Sequence, residues 1–149
     1  MNLPNRKSTK IPGFDYASEH YYFVTICTHE KNCIFGTPLQ LNSLGKIAEK
    51  HILQLSSYYQ TVLVDNYVVM PNHIHMILVL NGDENPSVTQ IIGQFKRGIT
   101  KEIRETNPQM QIWQRSFHDH VIRDQAGYEK IWLYIEGNPQ NWKKDCFYT

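Results

Sequence analysis

"VVMPNHIHMILVL" occupies residues 68–80, and the fold turns on how it is read. Met70-Pro71-Asn72 separates two apolar runs. Proline fixes φ and removes an N–H, and asparagine favours turns, so the chain bends there. The flanking stretches "TVLVDNYVVM" and "HIHMILVL" are rich in β-branched residues and read as two successive strands. The second one opens with His73 and His75. Two imidazoles at the head of a strand that otherwise reads as buried need an explanation.

Outward from this pair of strands, the pattern alternates. On the N-terminal side, "HYYFVTICTH" (20–29) is β-branched and aromatic and reads as a strand. "SLGKIAEKHILQLSSYY" carries Leu44, Ile47, Ala48, Ile52 and Leu55 at helical spacing. On the C-terminal side, Ser87 stands as a cap before "VTQIIGQFKRGITKEIRE", whose Ile91, Ile92, Phe95, Ile99 and Ile103 share a side. "QIWQRSFHDHVIR" reads as a fourth strand. "DQAGYEKIWLYIEGN" reads as a last helix, capped by Asp124 and stopped by Gly137-Asn138-Pro139. The order β-α-β-β-α-β-α predicts an α+β fold: a ferredoxin-like βαββαβ antiparallel sheet with an added C-terminal helix.

Composition sets limits on function. The 149 residues suit one domain, 1–149, in which residues 1–15 form a basic arm. No apolar run approaches the roughly 20 residues of a membrane span, and the first ten residues lack a signal-peptide core. Cys27, Cys33 and Cys146 form no Cys-x-x-Cys pair, which suits reduced thiols in the cytoplasm. A net charge of +1 argues against a large, uniformly basic DNA-binding surface. Local basic clusters remain: Arg6, Lys7 and Lys10; Lys96, Arg97, Lys101 and Arg104; Lys143 and Lys144. Arg97, Lys101 and Arg104 recur at helical spacing and share a face. A solvated helix face explains them as readily as DNA does.

Strand residues two apart point the same way, so His73 and His75 project together with Ile74 opposite. Neutral imidazoles side by side can hold one divalent cation. A half-solvated strand end is the commoner meaning of such a pair. His118 and His120 repeat the spacing around Asp119. The apolar Ile74 makes the first pair the better fit to a central strand. On the last helix, Tyr134 and Asn138 lie one turn apart. The phenol is a nucleophile and the amide oxygen a metal ligand. Tyrosine in an apolar stripe with Ile131 and Ile135 is more often core. Trp113 and Phe117 could stack an unpaired base, although core packing suits both better.

His73-Ile74-His75 after "VVMPN", then "WQRSFHDHVIRD", then "YIEGNP", in this order, resemble the HUH single-tyrosine transposases, and among them the REP-associated tyrosine transposases. "RKSTKIPGFDY" and "YYFVTICTHEKNCIFG" resemble the same group, so the likeness covers nearly the whole chain. The resemblance implies an enzyme that nicks and rejoins single-stranded DNA next to an imperfect palindromic hairpin through a 5′-phosphotyrosine. It implies Mg²⁺ or Mn²⁺ as the cofactor. His73, His75 and Asn138 match the metal ligands and Tyr134 the nucleophile. Tyr128, six residues earlier, lacks a polar partner at the ligand offset. His120 and Arg123 fall in the middle motif as supporting residues of the site. Arg6, Lys7, Lys10, Lys96, Arg97, Lys101 and Arg104 are the expected DNA contacts. A non-cutting hairpin-binding protein of the same fold is the alternative. The expected location is the cytoplasm, at the nucleoid, and monomer and homodimer both stay open. A closed zinc site fits poorly, because the cysteines lack the spacing and two histidines are too few ligands.

Overall fold

The computed structural model of the chain describes residues 19–81 and 86–144. The arm of residues 1–15, with Arg6, Lys7 and Lys10, lies outside them, as do Cys146 and the side chains of Lys143 and Lys144.

Chain order begins with β1 (Glu19–Cys27), a short hairpin of β2 (Gly36–Thr37) and β3 (Gln40–Leu41), and α1 (Ser43–Leu53). A four-residue α2 (Leu55–Tyr58), β4 (Val62–Met70) and β5 (His73–Asn81) follow. Last come α3 (Val88–Ile103), β6 (His118–Ile122), α4 (Gln125–Gly137) and a 3₁₀ segment (Asn138–Lys144). The main sheet runs β4-β5-β1-β6, with every neighbouring pair antiparallel. Setting aside the β2–β3 hairpin and α2, this is the ferredoxin-like βαββαβ arrangement with a C-terminal helix.

The strand β5 explains why its sequence is apolar on both faces. All its residues from His73 to Leu80 are buried. Ile74, Met76, Leu78 and Leu80 pack with Ala48 and Ile52 of α1 and with Ile91, Ile92, Phe95 and Ile99 of α3. The alternate residues Ile77 and Val79 pack with Tyr128, Trp132 and Ile135 of α4. The sheet is thus covered by α1 and α3 on one face and by α4 on the other. A central strand between two helical layers loses the alternation of a half-exposed strand. Each of these large aliphatic side chains contributes about 1.5–3 kcal/mol by leaving water.

Local chemistry sets the helix ends. Ser87 caps α3 in a reciprocal capping box with Gln90. Asp124 accepts from the Gly127 N–H at 2.7 Å and starts α4. Asn42 caps α1 through the Gly45 N–H. Gly45 lies so near the Phe35 carbonyl that a Cβ would come within 2.4 Å of that oxygen, so only glycine fits.

Boundaries differ from the sequence expectation in three places. The first strand ends at Cys27, because Thr28 turns into a 3₁₀ corner at His29–Lys31. The expected single helix after residue 42 breaks at Gln54 into α1 and α2. Only His118–Ile122 of the fourth predicted strand pairs in the sheet. Its first part, around Trp113, lies outside the sheet ladder and meets Thr28 through an isolated bridge. Among the described residues, no helix is long and apolar enough to cross a membrane.

Candidate active site

His73 and His75 head the central strand on the face that α4 covers. Their rings lie 4.5 Å apart at 72°. Both are almost wholly buried, at 0% and 1% exposure. Each ring is held by a neighbour. His73 Nδ1 lies 2.8 Å from Asn72 Oδ1, and His75 Nδ1 lies 2.9 Å from Thr25 Oγ1. Thr25 is the cross-strand partner of His75, so sheet register delivers that contact. Phe23, two residues back on β1, stacks on the His75 ring at 5.2 Å and 28°. Burial first, and then the neighbouring His73, hold the His75 imidazole well below its ordinary pKa, so the ring is neutral at pH 7.

Helix α4 brings the second half. Tyr134 is 42% exposed, and its ring stands 5.3 Å from His75 and edge-on to Phe23 at 6.2 Å. One turn later Asn138 is 2% exposed, at the junction of α4 with the 3₁₀ segment. Trp142 of that segment stacks on His73 at 6.1 Å and 25°. His73, His75, Tyr134 and Asn138, widely separated in sequence, thus meet between β5 and the end of α4.

The donor set fits a divalent cation. With Nδ1 of both rings engaged, Nε2 is the atom each histidine can offer, and both Nε2 atoms are buried. Asn138 Oδ1 is buried and accepts no hydrogen bond among the described residues, which is costly for an amide oxygen unless something else occupies it. Two imidazoles and one amide oxygen would leave coordination positions for phosphate oxygens. Among the described residues, no group of three or more His, Cys, Asp or Glu side chains is arranged to hold a metal.

Tyr128 takes a different place. It is fully buried, its phenol donates to Asp65 Oδ2, and its ring meets Tyr21 edge-on. Asp65 lies where the β4–β5 register shifts, at a bulge between Val64 and Asn66. Of the two tyrosines on α4, only Tyr134 stands beside the histidines.

The other sequence candidates are scattered. His118 and His120 sit on the exposed edge strand β6, and His120 contacts the site indirectly, edge-on to Phe23 at 5.4 Å. Arg123 is exposed between β6 and α4. Arg97, Lys101 and Arg104 are exposed on α3, on the sheet face opposite the histidines. Lys96 Nζ donates to the carbonyls of Gln114 and Ser116 at 3.0 and 3.2 Å, and burial pulls its ammonium below the ordinary pKa. That amine ties down the loop before β6. Arg104 Nε likewise donates to the Met110 carbonyl at 3.0 Å. Trp113 and Phe117 pack against the core on the α3 side. Sequence reasoning passed over Thr25, Phe23, Asn72 and Trp142, whose roles come from register and from the path of the 3₁₀ segment. Only the Asn72 position, beside the histidines, carried a signal.

The chain is similar to several known proteins. A Haemophilus influenzae protein of uncharacterised function is 32% identical over 171 aligned positions, covering 99% of this chain and 95% of its own. A second, described as a REP-associated tyrosine transposase, is 33% identical over 136 positions, covering 84% of this chain and 73% of its own. Among solved structures, a REP-associated tyrosine transposase bound to a REP hairpin superposes with a TM-score of 0.61 at 21% identity, covering 95% of this chain and 74% of that one. A Deinococcus radiodurans protein described as a transposase superposes at 0.58 and 12% identity, covering 92% and 97%. At those identities the superpositions speak for the fold. Residues 16–138 match the family described as transposase IS200 like, and with most of its length inside that match, the chain belongs to the IS200-like transposases.

Proposed function

We propose that this chain cleaves and rejoins single-stranded DNA beside an imperfect palindromic hairpin, with Tyr134 as nucleophile and Mg²⁺ or Mn²⁺ held by His73, His75 and Asn138. The observation that carries the reading is the meeting of a half-exposed Tyr134 ring with the buried histidine pair at 5.3 Å. A buried pair of imidazoles has a use beside a reachable phenol that it lacks in an ordinary core.

Bound there, the cation supplies Lewis-acid polarisation of a phosphodiester oxygen. Tyr134 Oη attacks the phosphorus and the bond to the 3′ oxygen breaks. The departing 3′ oxygen takes up a proton, and the phenol gives its proton to solvent. DNA remains joined to Tyr134 through its 5′ phosphate, which conserves the bond energy for rejoining. The related structure was solved with a REP hairpin, and that supports a hairpin as the DNA feature recognised here.

Incubating the protein with hairpin-flanked single-stranded oligonucleotides and Mn²⁺ or Mg²⁺ tests this. Cleavage with a protein–DNA adduct is expected, abolished by EDTA and by Tyr134→Phe. Hairpin binding with no cleavage under any metal would favour a non-cutting hairpin-binding protein of the same fold.

A further inference from the structure

We propose that Asn72 is a positioning residue: turned by the main-chain carbonyl of Lys31, its amide holds His73 in the Nδ1–H tautomer and so presents the Nε2 lone pair to a divalent cation. The inference rests on the metal-dependent reading of the site and adds to it the residue that selects the ligating atom.

An amide side chain has one accepting and one donating end, and its neighbours decide which faces which. Asn72 Nδ2 lies 3.3 Å from the Lys31 carbonyl oxygen. A carbonyl only accepts, so the nitrogen must face it. The amide oxygen is then the end that meets His73 Nδ1, at 2.8 Å. That oxygen also only accepts, so Nδ1 must carry the proton. A neutral imidazole protonated at Nδ1 has its lone pair on Nε2.

The Lys31 carbonyl is aimed by backbone geometry that the sequence does not favour. Glu30 and Lys31 both adopt left-handed conformations, with φ of 52° and 56°. Neither is glycine or asparagine, so the surrounding contacts must impose the corner. Those contacts converge on the same turn. The Thr28 N–H and Oγ1 both donate to the Asn72 carbonyl at 3.0 Å, and the Phe35 N–H donates to the Pro71 carbonyl at 3.1 Å. Asn72 itself is 1% exposed, so water does not compete for its amide. His75 differs. Its Nδ1 faces the Thr25 hydroxyl, which can donate or accept, so that contact orients the ring without choosing its tautomer.

Ring-nitrogen NMR on ¹⁵N-histidine-labelled protein at pH 8 with EDTA reads the tautomer without metal. The wild type is expected to show His73 protonated at Nδ1 with Nε2 bare. Asn72→Ala should give a mixture of tautomers at His73, and Asn72→Asp, which keeps an acceptor, should restore the wild-type pattern. Mn²⁺ affinity measured by EPR should fall about 10–100-fold in Asn72→Ala, as for other outer residues that orient a metal-binding histidine, and stay near wild type in Asn72→Asp. A wild-type His73 protonated at Nε2 overturns the proposal. So does Asn72→Ala with wild-type tautomer and affinity. If Asn72→Ala does not fold, the wild-type spectrum decides alone. A wild type with the expected tautomer that binds no Mn²⁺ overturns the metal-dependent reading instead, and leaves the hold of Asn72 on the ring standing.

Discussion

Tyr134 and Tyr128 share one helix and have opposite fates. Tyr134 keeps 42% of its surface exposed beside His75, whereas Tyr128 is sealed against Tyr21 and Asp65. Tyr134→Phe should therefore abolish cleavage and leave hairpin affinity within about 1 kcal/mol, because only a hydroxyl is lost. Tyr128→Phe should do the reverse. Losing the bond to Asp65 lowers stability by about 1–3 kcal/mol, and the covalent adduct still forms. Urea denaturation and peptide mapping of the adduct separate the two, and an adduct at Tyr128 would refute the assignment. His75 makes a pH prediction at the same scale. Its pKa in the fold lies well below the ordinary value, whereas in the unfolded chain it titrates near pH ~6.5. Between those two values the unfolded state binds more protons, so stability rises with pH. In EDTA, acidification through pH ~6.5 should thus weaken the fold at this site. His75→Gln should flatten the slope of stability against pH, and an unchanged slope would mean that another group is responsible.

At the scale of elements, the sequence showed what local rules control. The caps at Ser87 and Asp124, the turn at Pro71-Asn72, and the helices before β4 and β6 follow from spacing and side-chain chemistry. Two-faced burial of β5 was legible in its unbroken apolar run, and the buried histidines at its head are where polar side chains interrupt that run. Other features were hidden because they depend on distant partners. The left-handed corner at Glu30 and Lys31 has no glycine to announce it. Thr25 meets His75 through register across 50 residues. The 3₁₀ segment sets Trp142 on His73, where Gly137-Asn138-Pro139 alone indicated a stop. The α4 N-cap links local chemistry to the site, since that helix carries Tyr134. Asp124→Ala removes the bond to the Gly127 N–H and should cost about 1 kcal/mol. Thermal unfolding should register the loss, with Asp124→Asn recovering most of it. Full stability in Asp124→Ala would show that packing of Trp132 and Ile135 alone holds the helix start.

The sheet divides the whole molecule into two faces. The histidines and Tyr134 lie on the α4 side. Arg97 and Lys101 lie on the α3 side, where they border an open pocket of about 360 Å³ with His51, Tyr58, Tyr59 and Gln94. A net charge of +1 leaves little general attraction for phosphate, so the placement of the few exposed cations matters. The α3 face lies across the sheet from Tyr134 and His75. If it binds DNA, it binds the part that is not cut, which is the duplex stem of a hairpin. Reversing both charges with Arg97→Glu and Lys101→Glu should then weaken hairpin binding. It should also flatten the dependence of binding on salt, by about two counterions for two lost phosphate contacts. Cleavage of a short single strand without a stem should be nearly unchanged, because its path stays on the α4 side. Measuring hairpin affinity at several salt concentrations, alongside cleavage of both substrates, separates these effects. An unchanged salt slope would make the α3 face an ordinary solvated surface. Equal loss on both substrates would mean that the cut strand itself crosses to that face.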